Sequence, residues 1–404
     1  MNHSPSTEQK HLAIFIPSLA GGGVARVMLH LAKAFATSGH QVDLLLCQTK
    51  GAFLDTVPQT INVVALKSSS SLVSRLRVLI TNPTLVFTLL LPILLSNKPP
   101  KTIRYLSDLT TYLIRQQPDA LLSAKTHANL VAIWAKKIAA GRTRVLISER
   151  STISTVIQKS RKWRWRFARP LIRKVYPQAD LVIAVSHGVA DDVASCARLS
   201  PKRIITIYNP MLTEHITAQS ILPVPHPWFN HEGIPIILGV GRLVPAKDFP
   251  TLLKAFAHIR AKRPARLVIL GEGRERPTLE KLASQLGIAS DLSLPGFADN
   301  PYAFMSRATV FVLSSLLEGL PNALIEALAC GCPVVSTNCR SGPQEILDDG
   351  AFGSLVPVGD DKALAEAIIH TLEHPPNADR LRARAAEFDI HTIAERYLQA
   401  LLPT

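Results

Sequence analysis

No run of about 20 uninterrupted apolar residues, the length a membrane-crossing helix needs, occurs in the chain. The nearest candidate is residues 72–97, almost wholly apolar from Leu85 to Leu95, but Asn82, Pro83 and Pro92 break it. Five cysteines are scattered at 47, 196, 330, 332 and 339. None forms a CxxC pair and no histidines stand at zinc spacing, so no zinc framework can be read. Cys330 and Cys332 flank Gly331 between a helix-like and a strand-like run, where small apolar residues pack. They read as packing thiols, which fits a reducing, cytoplasmic setting. There is no DxD motif, so no obligatory metal is expected. No internal repeat or low-complexity tract is present. The first ten residues are polar, and the apolar run 12–16 is too short for a signal peptide.

Hydrophobic residues make up 47% of the 404, with only 6% aromatic, a balance suited to Leu-, Val- and Ile-rich α/β packing. Strand-like runs (LAIFIP, VDLLLC, VLISE, DLVIAVS, RIITIY, then IILGVG, RLVILG, VFVLSS, PVVST) alternate with helical ones. Such alternation predicts parallel sheets with crossover helices, hence an α/β chain of two doubly wound, Rossmann-like halves. The length accommodates two full cores. The Pro-containing stretch 211–235 reads as a linker between an N-terminal domain (1–210) and a C-terminal one (236–380). A final helical stretch (381–404) is expected to pack back towards the first.

Charge divides the chain. Overall it is +15, yet residues 1–210 hold 28 Lys and Arg against 9 Asp and Glu (+19), and residues 211–404 hold 17 against 21 (−4). The density peaks at Lys159 to Lys174, KSRKWRWRFARPLIRK, with eight cations interleaved with Trp163, Trp165 and Phe167. Basic residues mixed with interfacial aromatics suit an anionic membrane surface, and the same composition can stack on and neutralise nucleic acid. No nucleic-acid motif accompanies the patch, so the membrane is preferred and no nucleic-acid partner is expected. The apolar segment 72–97 is consistent with an interfacial helix, a helix lining a lipid-acceptor groove, or a buried crossover helix.

Two loops look like a binding site. Ser314 to Thr337 reads SSLLEGLPNALIEALACGCPVVST, with Glu318 and Glu326 seven residues apart across a strand-to-helix loop. A carboxylate beside a helix N-terminus suits a polyhydroxylated ligand with a phosphate tail. Backbone N–H groups around Asn322, Ala323 and Leu324 can take the phosphate, and the carboxylates can accept from sugar and ribose hydroxyls. The same acids also fit solvated helix ends stabilised by the dipole. Residues 236–256, IILGVGRLVPAKDFPTLLKAF, place Arg242 and Lys247 on another strand-to-helix loop, a forked donor and a point charge that pair well on a diphosphate. Near the N-terminus Gly21, Gly22 and Gly23 precede a helix and allow close backbone approach to a phosphate or sugar, with Arg26 one turn later.

Taken together, GRL-x4-KDF, EGLPNALIEALACGCPVVST and SGPQEIL (Ser341 to Leu347) resemble the retaining glycosyltransferases of family 4, which have the GT-B fold of two Rossmann-like domains facing a cleft. The likeness covers most of the chain and is sharpest over 236–360. It implies that Arg242 and Lys247 hold the donor diphosphate, Glu318 the donor sugar and Glu326 the ribose, with backbone donors from Gly319, Asn322, Ala323 and Leu324. Gly22, Gly23 and Gly241 would approach the donor. Gly271, Gly273 and Phe297 would lie in the loops covering the nucleobase, and His127 would face the donor sugar. On the acceptor side it suggests Arg26, Glu149 and Arg150. Ser186 and Asn209-Pro210 would be architectural.

The resemblance therefore implies a retaining hexosyl- or N-acetylhexosaminyltransferase. UDP is the default nucleotide. A polyprenyl-diphosphate-linked or lipopolysaccharide-type glycan in cell-envelope polysaccharide synthesis is the expected acceptor. Catalysis would rest on charge stabilisation of the leaving diphosphate rather than a hydrolase-type carboxylate pair. The expected location is the cytoplasmic face of the inner membrane, held peripherally. Two competing readings are a sugar-nucleotide epimerase of the same fold and a non-catalytic basic membrane or nucleic-acid binder.

Overall fold

The structure, a computed structural model, describes residues 8–20, 22–81, 101–159, 168–230 and 233–403. The chain forms two compact units, one of residues 1–210 with 390–404, the other of residues 211–389. Gly21, residues 82–97 of the apolar segment and the aromatic core of the basic patch (Trp163, Trp165, Phe167) lie outside the described residues.

In the first unit the strands are β1 (His11–Ser18), β2 (Gln41–Gln48), β3 (Ile61–Ala65), β4 (Ala120–Ala124), β5 (Arg144–Glu149), β6 (Leu181–Ala184) and β7 (Ile204–Thr206). They form a seven-stranded sheet in the order β3-β2-β1-β4-β5-β6-β7, and each pairing is parallel. Parallel neighbours need crossovers, which place helices on both faces and bury the central strands on both sides. β4 is buried at every position and β5 at every position but Arg144, so they read as unbroken apolar runs rather than alternating ones. The helix Gly23–Thr37 buries Val27, Met28, Leu31 and Phe35 against this sheet. Helix Ile390–Leu401 joins the same unit: Arg144 Nε donates to Ala400 O at 3.3 Å and Arg396 Nη2 to Thr206 O at 3.0 Å.

The second unit has β8 (Ile236–Val240), β9 (Arg266–Leu270), β10 (Leu292–Gly296), β11 (Val310–Leu313), β12 (Val334–Thr337) and β13 (Ser354–Val356), ordered β10-β9-β8-β11-β12-β13 and again parallel. Its core gathers Ile237, Leu252, Phe256, Leu267, Ile269, Val310 and Ile368. Residues 211–235, read above as a linker, are instead built into this unit. They carry the helix Thr213–Ser220, whose last carbonyl accepts from Ser306 Oγ at 2.7 Å and from Arg307 Nη1 at 3.1 Å. Of the prolines that suggested a linker, Pro227 opens the 3-10 turn Pro227–Asn230. Met211 N donates to Phe388 O at 2.8 Å, so the beginning and end of the unit's chain are tied together.

All five cysteines are free and buried. Cys330 and Cys332 Sγ each lie 3.6 Å from a backbone carbonyl, of Tyr302 and Ala308 respectively. Burial pushes the thiols of Cys47, Cys330 and Cys339 up to about 12.

Helix Ser71–Thr81 buries Ser74 and Val78 and turns Leu72 (70% exposed), Val73, Leu76 and Ile80 (70%) outward. Among the described residues no helix is long and apolar enough to cross a membrane.

One glycine shows how tightly the strand ends are packed. Gly271 has φ +135°, and a Cβ there would sit 2.0 Å from Gly241 O. Backbone cannot yield as a side-chain tip can. Gly271→Ala should lower unfolding stability by several kcal/mol, roughly 2–4 by strain and clash together, measured by denaturant titration of the purified protein.

Candidate functional site

A parallel sheet sends every strand-to-helix loop out of the same edge, and ligands bind where the strand order reverses. In the second unit the order reverses between β8 and β11, the two strands that lead into Arg242/Lys247 and Glu318. After β8 the chain makes a 3-10 turn, Pro245–Lys247, and Asp248 takes a left-handed conformation (φ 46°) before the helix Phe249–Arg260. Asp248 Oδ2 accepts from Thr251 Oγ1 at 2.7 Å. Leu243 is fully buried and anchors the loop, and Leu243 N donates to Glu272 O at 2.9 Å. Gly241 leaves room for the Lys247 stem, whose Cε would be 3.1 Å from a Cβ.

Lys247 Nζ and Glu318 Oε1 are 2.6 Å apart, with side chains only 22% and 13% exposed. That is the short end of charge-assisted hydrogen bonding, in partial shelter from water. Ser315 Oγ donates to the same Oε1 at 2.7 Å. Arg242 lies exposed on the same loop and, among the described residues, makes no ion pair. Helix Asn322–Ala329 follows, with Asn322 and Ala323 half-buried in its first turn and Glu326 buried one turn on. Leu324 N, expected as a free donor, donates to Pro321 O at 3.1 Å, because the helix opens with a tight turn at the proline. Gly319 is buried. The SGPQEIL stretch packs directly on this loop: at Gly342 (φ +95°) a Cβ would lie 2.6 Å from Pro321 Cδ.

The remaining second-unit candidates stand at the same edge. Gly271 and Gly273 follow β9, and Gly271 N is already used by Gly296 O at 2.7 Å. A Cβ on Gly273 would be 2.2 Å from Leu243 O, so both glycines serve the close approach of neighbouring loops. Phe297, just past β10, is 72% exposed.

In the first unit the order reverses between β1 and β4. Gly22 (φ +88°) and Gly23 follow β1, and Gly22 O accepts from Arg26 N at 3.2 Å. The Arg26 guanidinium sits 5.7 Å from the Phe53 ring centroid. After β4, Lys125 takes φ +83° and His127 is the second residue of helix Thr126–Ala139. Burial lowers the Lys125 ammonium pKa.

Glu149, expected on the acceptor side, is held inside the first unit, and Arg150, expected beside it, is half-buried. Glu149 is 1% exposed. Its carboxylate accepts from Asn129 Nδ2 at 2.9 Å, Thr126 Oγ1 at 3.1 Å and the Tyr176 hydroxyl. The reason is that β5 is a central strand and its last residue is still covered. Arg150 Nη1 donates to Asn209 Oδ1 at 2.5 Å, and Ser186 Oγ caps helix His187–Ala197 by accepting from Val189 N at 3.2 Å. Residues that sequence reasoning missed are Ser315, Thr126, Asn129 and Tyr176. Ser315 stands three residues before Glu318, a spacing that carries no signal by itself. Among the described residues, no three His, Cys, Asp or Glu side chains gather as a metal-ligand set.

Two parallel α/β units in one chain, the second carrying a cation–carboxylate pair at its switch point, make up the architecture of a GT-B glycosyltransferase. This chain belongs to glycosyltransferase family 4. Residues 21–215 match the family model Glycosyltransferase Family 4 and residues 226–388 that of Glycosyl transferases group 1. The chain is 31% identical over 400 residues to the N-acetylgalactosamine-N,N'-diacetylbacillosaminyl-diphospho-undecaprenol 4-alpha-N-acetylgalactosaminyltransferase of Campylobacter jejuni, covering 97% of this chain and 99% of that one. It is 31% identical to the lipopolysaccharide core biosynthesis glycosyltransferase LpsE of Rhizobium meliloti, over 56% of this chain and 65% of the relative. Among solved structures, HepE of Anabaena in complex with UDP-glucose shares the fold with a TM-score of 0.76 at 18% identity, over 97% of this chain and 99% of that one.

The Glu149 cluster yields a pH dependence. Burial raises its pKa from 4.5 to about 7, against the three hydrogen bonds that lower it. A raised folded-state pKa contributes stability that is fully present below about 4.5 and is lost as pH rises through about 7, about 3 kcal/mol at most. Glu149→Gln should therefore flatten the fall in thermal midpoint between about pH 5 and about pH 8. An unchanged slope in the variant would show that Glu149 does not titrate there.

Proposed function

We propose that this glycosyltransferase moves a hexose or N-acetylhexosamine from a UDP-sugar, with retention of anomeric configuration, to a lipid-linked or lipopolysaccharide-type glycan. The observation that carries the donor reading is the Lys247–Glu318 pair at the second unit's switch point, with Arg242 on the same loop. A diphosphate brings the negative charge that Arg242 and Lys247 can share, and Glu318 can accept from sugar hydroxyls. As the acceptor hydroxyl attacks the anomeric carbon, the bond to the diphosphate breaks and charge grows on the leaving oxygens. Fixed cations and backbone N–H groups around Asn322 and Ala323 stabilise it at little reorganisation cost. Glu326 is assigned to the ribose and His127 to the donor sugar. No metal is required by this scheme. The undecaprenol-linked substrate named for the Campylobacter relative supports a polyprenyl-diphosphate acceptor, and the UDP-glucose bound by HepE supports the nucleotide.

Peripheral attachment at the cytoplasmic face of an anionic membrane belongs to the same reading. It is supported by the +19 charge of residues 1–210 and by the outward apolar side chains of helix Ser71–Thr81.

Calorimetric titration with UDP, GDP, ADP and UDP-N-acetylhexosamines, with and without chelator, tests the donor assignment. UDP-sugar binding should survive chelation. Arg242→Ala and Lys247→Ala should each weaken it roughly 10–100-fold, the worth of one charge-assisted hydrogen bond. A protein that binds none of these nucleotides would contradict the reading. In a second assay, Leu76→Ser with Ile80→Ser should reduce co-sedimentation with anionic phospholipid vesicles by about tenfold or more, from the apolar area withdrawn, and leave UDP affinity unchanged. Equal sedimentation of variant and wild type would remove this helix from the membrane contact.

A further inference from the structure

Glu318 is tethered by more than its cation. Oε1 receives two donors, Lys247 Nζ at 2.6 Å and Ser315 Oγ at 2.7 Å. Among the described residues no donor reaches Oε2. Ser315 is fully buried, and its backbone is pinned from two sides. Thr337 Oγ1, from the end of β12, donates to Ser315 O at 2.6 Å, and Leu316 N donates to Ala246 O at 2.9 Å. Ser314 Oγ in turn donates to Lys247 O at 2.8 Å. Of these three buried hydroxyls, that of Ser314 ties the two loops together, that of Thr337 ties the second loop to β12, and that of Ser315 ends on the carboxylate.

A glutamate carboxylate, with two staggered torsions and a third that turns its oxygens freely, has several positions. Lys247 alone cannot choose among them, since an ammonium on a flexible stem follows the oxygen wherever it goes. A hydroxyl on pinned, buried backbone can. We propose that Ser315 is a positioning residue for glycosyl transfer: it commits Oε1 of Glu318 to the protein and presents Oε2 as the acceptor for a donor-sugar hydroxyl. The inference rests on the donor reading above and deepens it by separating recognition of the sugar from recognition of the nucleotide. The diphosphate is read by Arg242 and Lys247, which do not need Ser315. The sugar is read by Glu318, which does.

The test compares UDP with UDP-sugar. Wild type, Ser315→Ala and Ser315→Thr are each titrated with UDP and assayed for UDP-sugar turnover, with thermal unfolding as a control for folding. Ser315→Ala should bind UDP within about twofold of wild type while kcat/KM for the UDP-sugar falls about tenfold or more, the worth of one hydrogen bond to a charged group. Ser315→Thr, which keeps the hydroxyl, should recover most of that loss. Wild-type turnover in Ser315→Ala would overturn the proposal. So would a parallel loss of UDP and UDP-sugar affinity, because that is collapse of the loop rather than misdirection of the carboxylate. Failure of the wild type to bind UDP or any UDP-sugar is a different result, and it overturns the donor reading together with this one.

Discussion

A parallel strand can be followed by its neighbour only after a crossover of a dozen or more residues, and both sheets here are built from parallel pairs. Helices must then cover both faces, the central strands must be apolar throughout, and every strand must end at the same edge. The chemistry has nowhere else to go. Loops after β8 and β11 diverge because the sheet winds outward in opposite directions from that pair, and at that edge Lys247 and Glu318 meet, with Arg242 on the same loop as Lys247.

What stands at that edge is held by buried hydroxyls as much as by charge. An exposed Lys–Glu pair adds little, since water and chain entropy compete with it. Here Ser314, Ser315 and Thr337 bind backbone and carboxylate from below, so the loops have already lost the freedom that a solvated pair retains. The first unit uses the same device with the opposite outcome. Glu149 draws donors from Thr126, Asn129 and Tyr176, and the result is an interior anchor for the start of the helix that carries His127.

Much of this was legible in the sequence because its cause is local. Doubly buried strands write unbroken apolar runs, so LAIFIP, IILGVG and VFVLSS give the α/β class directly, and E-x7-E in its EGLP setting marks a strand-to-helix loop. Long-range causes left no such trace. Glu149-Arg150 at a strand end looks like exposed chemistry, and only the placement of Asn129 and Tyr176, 20 and 27 residues from Glu149, shows that the carboxylate is covered. The same holds for Leu324 N, taken by its own proline turn. For 211–235, prolines suggested a free linker, but Ser306 and Arg307 bind its helix from more than 80 residues on.

The buried thiols have a practical meaning. Cys47 and Cys196 belong to the first unit, and Cys330, Cys332 and Cys339 to the second. A thiol pushed well above neutrality and shielded from solvent reacts with an alkylating reagent only when its surroundings open. The protein thus carries its own pair of stopwatches. The rate at which each group of cysteines becomes labelled reads the local opening of one α/β unit independently of the other, with no engineered residue.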